Sequence, residues 1–220
     1  MKAFQFFKVD LIRSRAQLKY MLLFWALAFC LGFSTDAGAL FTLFYMIFCG
    51  VILSGQPFLM DQKMESGFLN MLPGSKMERV AGRYLMSVVL LLAGMILGLI
   101  SMLVVGSVKG TMVGGLDIFI PLLLGIGLVT IAVQNVCLYA FGKGKSQQVA
   151  AIIRMVPGFA VFFGGMGIMD DMESNPSSYQ NLWVISHPQM AAWFMLGIGV
   201  LAVLAAILIS SVIIKKRDYD

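Results

Sequence analysis

Apolar residues in this 220-residue chain fall into six long runs, and polar residues gather in the joints between them. A helix needs about 20 apolar residues to cross a hydrocarbon core about 30 Å thick. The runs predict transmembrane helices over 18–33, 38–58, 84–108, 117–141, 149–169 and 190–214, an all-α membrane protein built as one domain, 1–220. The first run has a rival reading as a secretory leader, because Ala37-Gly38-Ala39 has the small residues of a cleavage site. The long charged segment before it, and the apolar run that restarts at Gly38, favour a tight helical hairpin instead. Span two closes near Gln56-Pro57, where proline disturbs the helix.

The joint between spans two and three has order of its own. Met60, Met64, Phe68 and Met71 recur at helical spacing, with Asp61, Gln62, Glu65, Ser66 and Asn70 around the rest of the circumference. That pattern predicts an amphipathic helix lying along the membrane. Leu69 points out among the polar residues and is available to a protein partner, although a single exposed leucine is ordinary. Pro73-Gly74 then breaks the chain, and Ser75-Lys76-Met77-Glu78 has the spacing of a capping box. A new helix should start there and run through Val80, Ala81 and Leu85 into span three, with Arg79 and Arg83 at the headgroups. Motion of the surface helix would then pass directly to a span. Ahead of span one, Phe4, Phe7, Leu11 and Leu18 share a helical face flanked by Lys8, Arg13 and Arg15. This segment reads as an interfacial helix or as a basic leader that only sets topology.

Charge orients the whole. All but Lys109 of the 16 Lys and Arg residues lie on one side of the predicted spans. Cytoplasmic loops keep positive charge, so both ends of this multi-pass chain are expected in the cytoplasm. A chain 60% hydrophobic leaves no room for a soluble domain of useful size. The net charge of +5 then reflects contact with anionic lipid and not nucleic acid. Cys30, Cys49 and Cys137 lie inside apolar runs and read as small packed hydrophobes.

Chemistry of its own is not expected. Gly144-Lys145-Ser146 imitates the end of a P-loop, but Tyr139 stands where the first glycine belongs. The sole histidine, His187, precedes Pro188 in an outer joint, and Asp36, Asp117, Asp170, Asp171 and Glu173 sit near outer ends. No metal site, acid pair or catalytic residue follows from these positions. The polar groups within spans are Thr130, Gln134 and Asn135 on span four and Arg154 on span five. They either bond helix to helix, with Arg154 reaching the headgroups, or line an inward-facing cavity. Gly94 and Gly98 form a small-xxx-small pair, and Gly125, Gly127, Gly197 and Gly199 thin later spans for close packing.

The run from Asn70 to Leu85 resembles the signature LP-x-S-(K/R)-x-E-x-V-x-G-(K/R)-Y-L of small type-2 ABC exporter permeases, nearest the phenol-soluble modulin exporters of Firmicutes. Leu72, Pro73, Ser75, Lys76, Glu78, Val80, Gly82, Arg83, Tyr84 and Leu85 match it, while Gly74 replaces a branched apolar residue. The resemblance implies a transport subunit without a cofactor of its own. It implies a homodimer or heterodimer with a second permease subunit, and a separate cytoplasmic ABC ATPase that carries ATP and Mg. Docking of that ATPase would fall on Asp61, Lys63, Glu65, Phe68, Leu69, Leu72, Pro73, Ser75, Lys76, Glu78 and Arg79. The implied cargo is amphipathic peptide moved outward, with resistance to antimicrobial peptides as a side role. The competing readings are the membrane-embedded binding subunit of an energy-coupling vitamin importer, and an intramembrane enzyme or scaffold. A directly bound ATPase separates the exporter from both.

Overall fold

The computed structural model describes residues 2–34, 38–58, 74–110, 115–141, 148–149, 151–153, 155–156, 159, 163 and 187–217. Among these residues all regular secondary structure is helical. The helices are α1 (Lys2–Arg13), α2 (Arg15–Ser34), α3 (Gly38–Ser54), α4 (Lys76–Lys109), α5 (Leu116–Phe141) and α6 (Pro188–Arg217). Four stretches are long and apolar enough to cross a bilayer, namely Gly38–Phe58, Lys76–Lys109, Leu116–Phe141 and Pro188–Lys215. The apolar part of α2, Lys19–Ser34, is shorter. The expected surface helix around 60–71, most of the fifth span and the outer segment 170–186 lie outside the described residues.

The start of α4 follows the local rule read from the sequence. Glu78 N–H donates to the Ser75 hydroxyl at 3.2 Å, and Ser75 N–H donates to Glu78 Oε2 at 2.9 Å. Two otherwise orphaned backbone donors are thereby satisfied. The helix runs 34 residues to a left-handed cap at Gly110. At about 1.5 Å per residue it is about 51 Å long, well beyond a hydrocarbon core of about 30 Å.

Glycine sets the helix spacing. A Cβ on Gly94 would stand 2.6 Å from the Met46 carbonyl oxygen, and one on Gly98 would press on Leu43 and Met46, so α4 meets α3 backbone to backbone. Gly125 and Gly199 do the same between α5 and α6, where a Gly199 Cβ would lie 2.7 Å from the Gly125 carbonyl oxygen. Gly197, expected to share this role, faces open space. The main apolar core lies between α3, α4 and α5, around Leu43, Ile47, Leu91, Val105 and Ile131. Outside it, α6 exposes Trp193, Phe194, Leu201, Leu204 and Leu208, and α2 exposes Leu22, Leu23 and Leu27. Apolar faces of that extent suit lipid and not water.

Pairings along the helices give their directions. α4 runs antiparallel to α3 and α5, and α5 runs parallel to α6, as Gly125 meeting Met195 and Asp117 meeting Gln189 require. The start of α4 and the ends of α5 and α6 therefore share one end of the bundle, where α1 also lies. That end carries Arg13, Arg79, Arg83 and Lys215, and Lys109 reaches Gly38 at the other.

Candidate functional site at the charged end of the bundle

α1 crosses the first turns of α4 on a stripe formed by Phe6, Asp10 and Ser14, all buried. The approach is made possible by glycine. A Cβ on Gly82 would lie 2.7 Å from the Ala3 carbonyl oxygen and 2.8 Å from Phe6 Cβ, and one on Gly74 would strike the Phe6 ring at 2.6 Å. Phe7 and Leu11 pack beside this stripe on Met21, Leu53, Met86 and Leu90. The face expected from periodicity was Phe4, Phe7, Leu11 and Leu18. The structure centres burial instead on Phe6 and Asp10 and leaves Phe4 and Ile12 exposed. The correction has a physical cause. The buried stripe holds a carboxylate whose partner sits on another helix, and apolar spacing alone cannot announce that.

The partner is Arg83. Its Nε lies 3.5 Å from Asp10 Oδ2, a distance of ion pairing more than of a well-aligned hydrogen bond. Both side chains are nearly inaccessible, at 7% and 5%. Arg83 was expected at the headgroups, and the structure buries it among helices instead. Its guanidinium lies 4.6 Å from the centre of the Phe58 ring, which meets Tyr139 edge to face at 4.7 Å. A second arginine, Arg13, reaches Asp10 at 3.9 Å. Burial lowers the Arg13 guanidinium from its ordinary value; Asp10 opposes that shift and Arg83 adds to it. Arg79 lies against the Phe6 ring at 5.8 Å. Beyond Arg83, the Tyr84 hydroxyl shares a hydrogen bond of 3.0 Å with Ser210, tying α4 to α6.

This arrangement explains three neighbours in the sequence. Gly82 admits α1, Arg83 binds its carboxylate, and Tyr84 holds α6. It also gathers both described flanks of segment 59–73, since Phe58 lies on Arg83 and Gly74 lies under Phe6.

Of the expected docking residues, Asp61, Lys63, Glu65, Phe68, Leu69, Leu72 and Pro73 lie outside the described residues, as does Arg154. Ser75, Lys76, Glu78 and Arg79 form the first turn of α4 with its cap, beside this cluster. The polar residues of α5 are placed further in. Gln134, fully buried, donates to the Val51 carbonyl at 3.2 Å and to the Ser54 hydroxyl at 3.3 Å on α3. Asn135, also fully buried, donates to the Ser87 hydroxyl on α4 at 3.0 Å. Thr130 bonds back to Ile126 in its own helix and does not join Gln134. Asp10, Phe58 and Ser210 were not expected at a site. One signal was available for Asp10, the sole acid among five cations in the first 34 residues.

A family profile described as ABC-2 family transporter protein matches residues 5–216. Comparison with curated proteins and with solved structures gives no match.

Proposed function

Because the chain belongs to the ABC-2 transporter family, we propose that it is the permease subunit of an ATP-driven exporter. In this reading residues 1–220 form one domain of six spans with both termini in the cytoplasm, paired with a second permease subunit in a bacterial plasma membrane. A separate cytoplasmic ATPase binds segment 59–73, with Leu69 as its apolar anchor and Asp61, Lys63, Glu65, Phe68 and Leu72 around it. The observation that carries the reading is the anchoring of that segment's flanks. Phe58 and Gly74 both abut the Arg83 and Phe6 cluster, and a capped helix of 34 residues leads from there through the bundle. A force applied between them has a rigid path inward.

Membrane-active amphipathic peptide is the cargo class this reading favours. Support comes from the bundle interior, where the Gln134 and Asn135 amides donate to neighbouring helices, leaving only their two carbonyl oxygens without a partner among the described residues, and the surrounding core is apolar. Such a lining offers little to a sugar or an ion. Gln134, Asn135, Thr130 and Arg154 become cavity-lining residues only if those helices part during transport.

The test is co-purification. Tagged full-length chain, extracted from its native membrane, should bring down a P-loop ATPase identified by mass spectrometry and by ATP hydrolysis in the eluate. Leu69→Asp should weaken that association about tenfold or more, as loss of a central apolar anchor does. Undiminished association would remove Leu69 from the interface, and absence of any ATPase with the wild-type chain would overturn the assignment.

A further inference from the structure

We propose that the Asp10–Arg83 pair makes α1 part of the moving unit, so that α1 follows α4 when the transporter is driven and does not merely rest beside it. The inference rests on the coupling reading above and extends it to residues which that reading does not assign. Arg83, on α4, touches two other parts of the molecule at once. It pairs with Asp10 on α1 and covers Phe58, at the end of the α3 stretch, whose ring meets Tyr139 on α5. A change of rotamer at Arg83 would break both contacts at once.

The packing around the pair argues the same way. Phe6 is seated between Gly74 and Gly82, one turn of α1 from Asp10, so shape and charge hold the same two helices together. On the opposite face α1 is open, with Phe4 and Ile12 exposed. Removing the carboxylate takes away the charge that α1 presents to Arg83, which loosens α1 from α4. A purely structural pair would be replaceable by any arrangement that keeps the fold. A transmitting pair needs opposite charges on these two helices. Asp10 and Arg83 are therefore positioning residues for transport and not members of a docking surface.

Hydrogen exchange on the full-length chain, alone and as the purified complex with its ATPase, tests this directly. In the wild-type complex, ATP with Mg should alter exchange in residues 2–13 together with residues 76–86. Asp10→Asn should raise α1 exchange in the chain alone about tenfold or more. In the complex it should abolish the nucleotide response of α1 while that of α4 persists. The reciprocal variant, Asp10→Arg with Arg83→Asp, should restore the joint response, and transport per ATP hydrolysed should recover with it. Unchanged α1 exchange in Asp10→Asn, or a reciprocal variant no better than its single members, overturns the proposal. A wild-type chain that binds no ATPase overturns the coupling reading instead, and with it the transport part of this inference. The exchange of the chain alone still decides whether the pair holds α1.

Discussion

Two polar links join helices at opposite ends of the bundle, and they differ in nearly everything except purpose. At one end Gln189 donates to Asp117 Oδ2 at 2.6 Å, tying the starts of α6 and α5 in an exposed position. At the other, Arg83 and Asp10 stand 3.5 Å apart, out of reach of solvent. The shorter contact is the more easily replaced one. Water competes for an exposed amide and carboxylate, so their bond replaces others of similar quality. No water competes for the buried pair, and each charge has already lost its hydration. The pair therefore adds little net stability when intact, but leaving either member alone is costly.

The largest effect should follow from Asp10→Ala. Breaking a buried pair from one side costs about 3–5 kcal/mol, and thermal unfolding of the detergent-solubilised chain should register it. A loss no greater than that of an exposed substitution would mean that Arg83 finds water or another acceptor. The next effect belongs to the glycine that lets the pair form. Gly82→Leu should cost about 1–3 kcal/mol through overpacking and should expose residues 2–13 to protease. Gly197→Leu, where nothing lies within 4 Å, should do neither. Equal sensitivity of the two glycines would contradict the close approach of α1. The smallest effect is expected from Gln189→Ala, within about 0.5 kcal/mol in the same unfolding assay. A larger loss would make the exposed link as consequential as the buried one and erase the contrast.

Local rules carried the reading of the sequence as far as local rules go. The cap on α4 was legible because Ser75 and Glu78 satisfy each other within one turn, and the close approach at Gly94 and Gly98 was legible because a four-residue spacing lies on one face. The membership in a transporter family was legible in a signature that spans a single turn and helix start. The site was only half visible. Arg83 was assigned to the headgroups because an arginine at the end of an apolar run usually reaches for them. Its true partner lies in a different helix near the start of the chain, and α1 was read by apolar spacing, which gives Asp10 no weight. Likewise the amides of Gln134 and Asn135 were recognised as needing partners, but nothing in α5 says that Ser54 and Ser87 supply them.

One consequence concerns inheritance. Phe58 and Gly74 stand on a common footing, so substitutions between them that keep both contacts need not disturb the helix bundle. On the proposed coupling reading, a lineage could so change engines while the rest of the chain kept its packing.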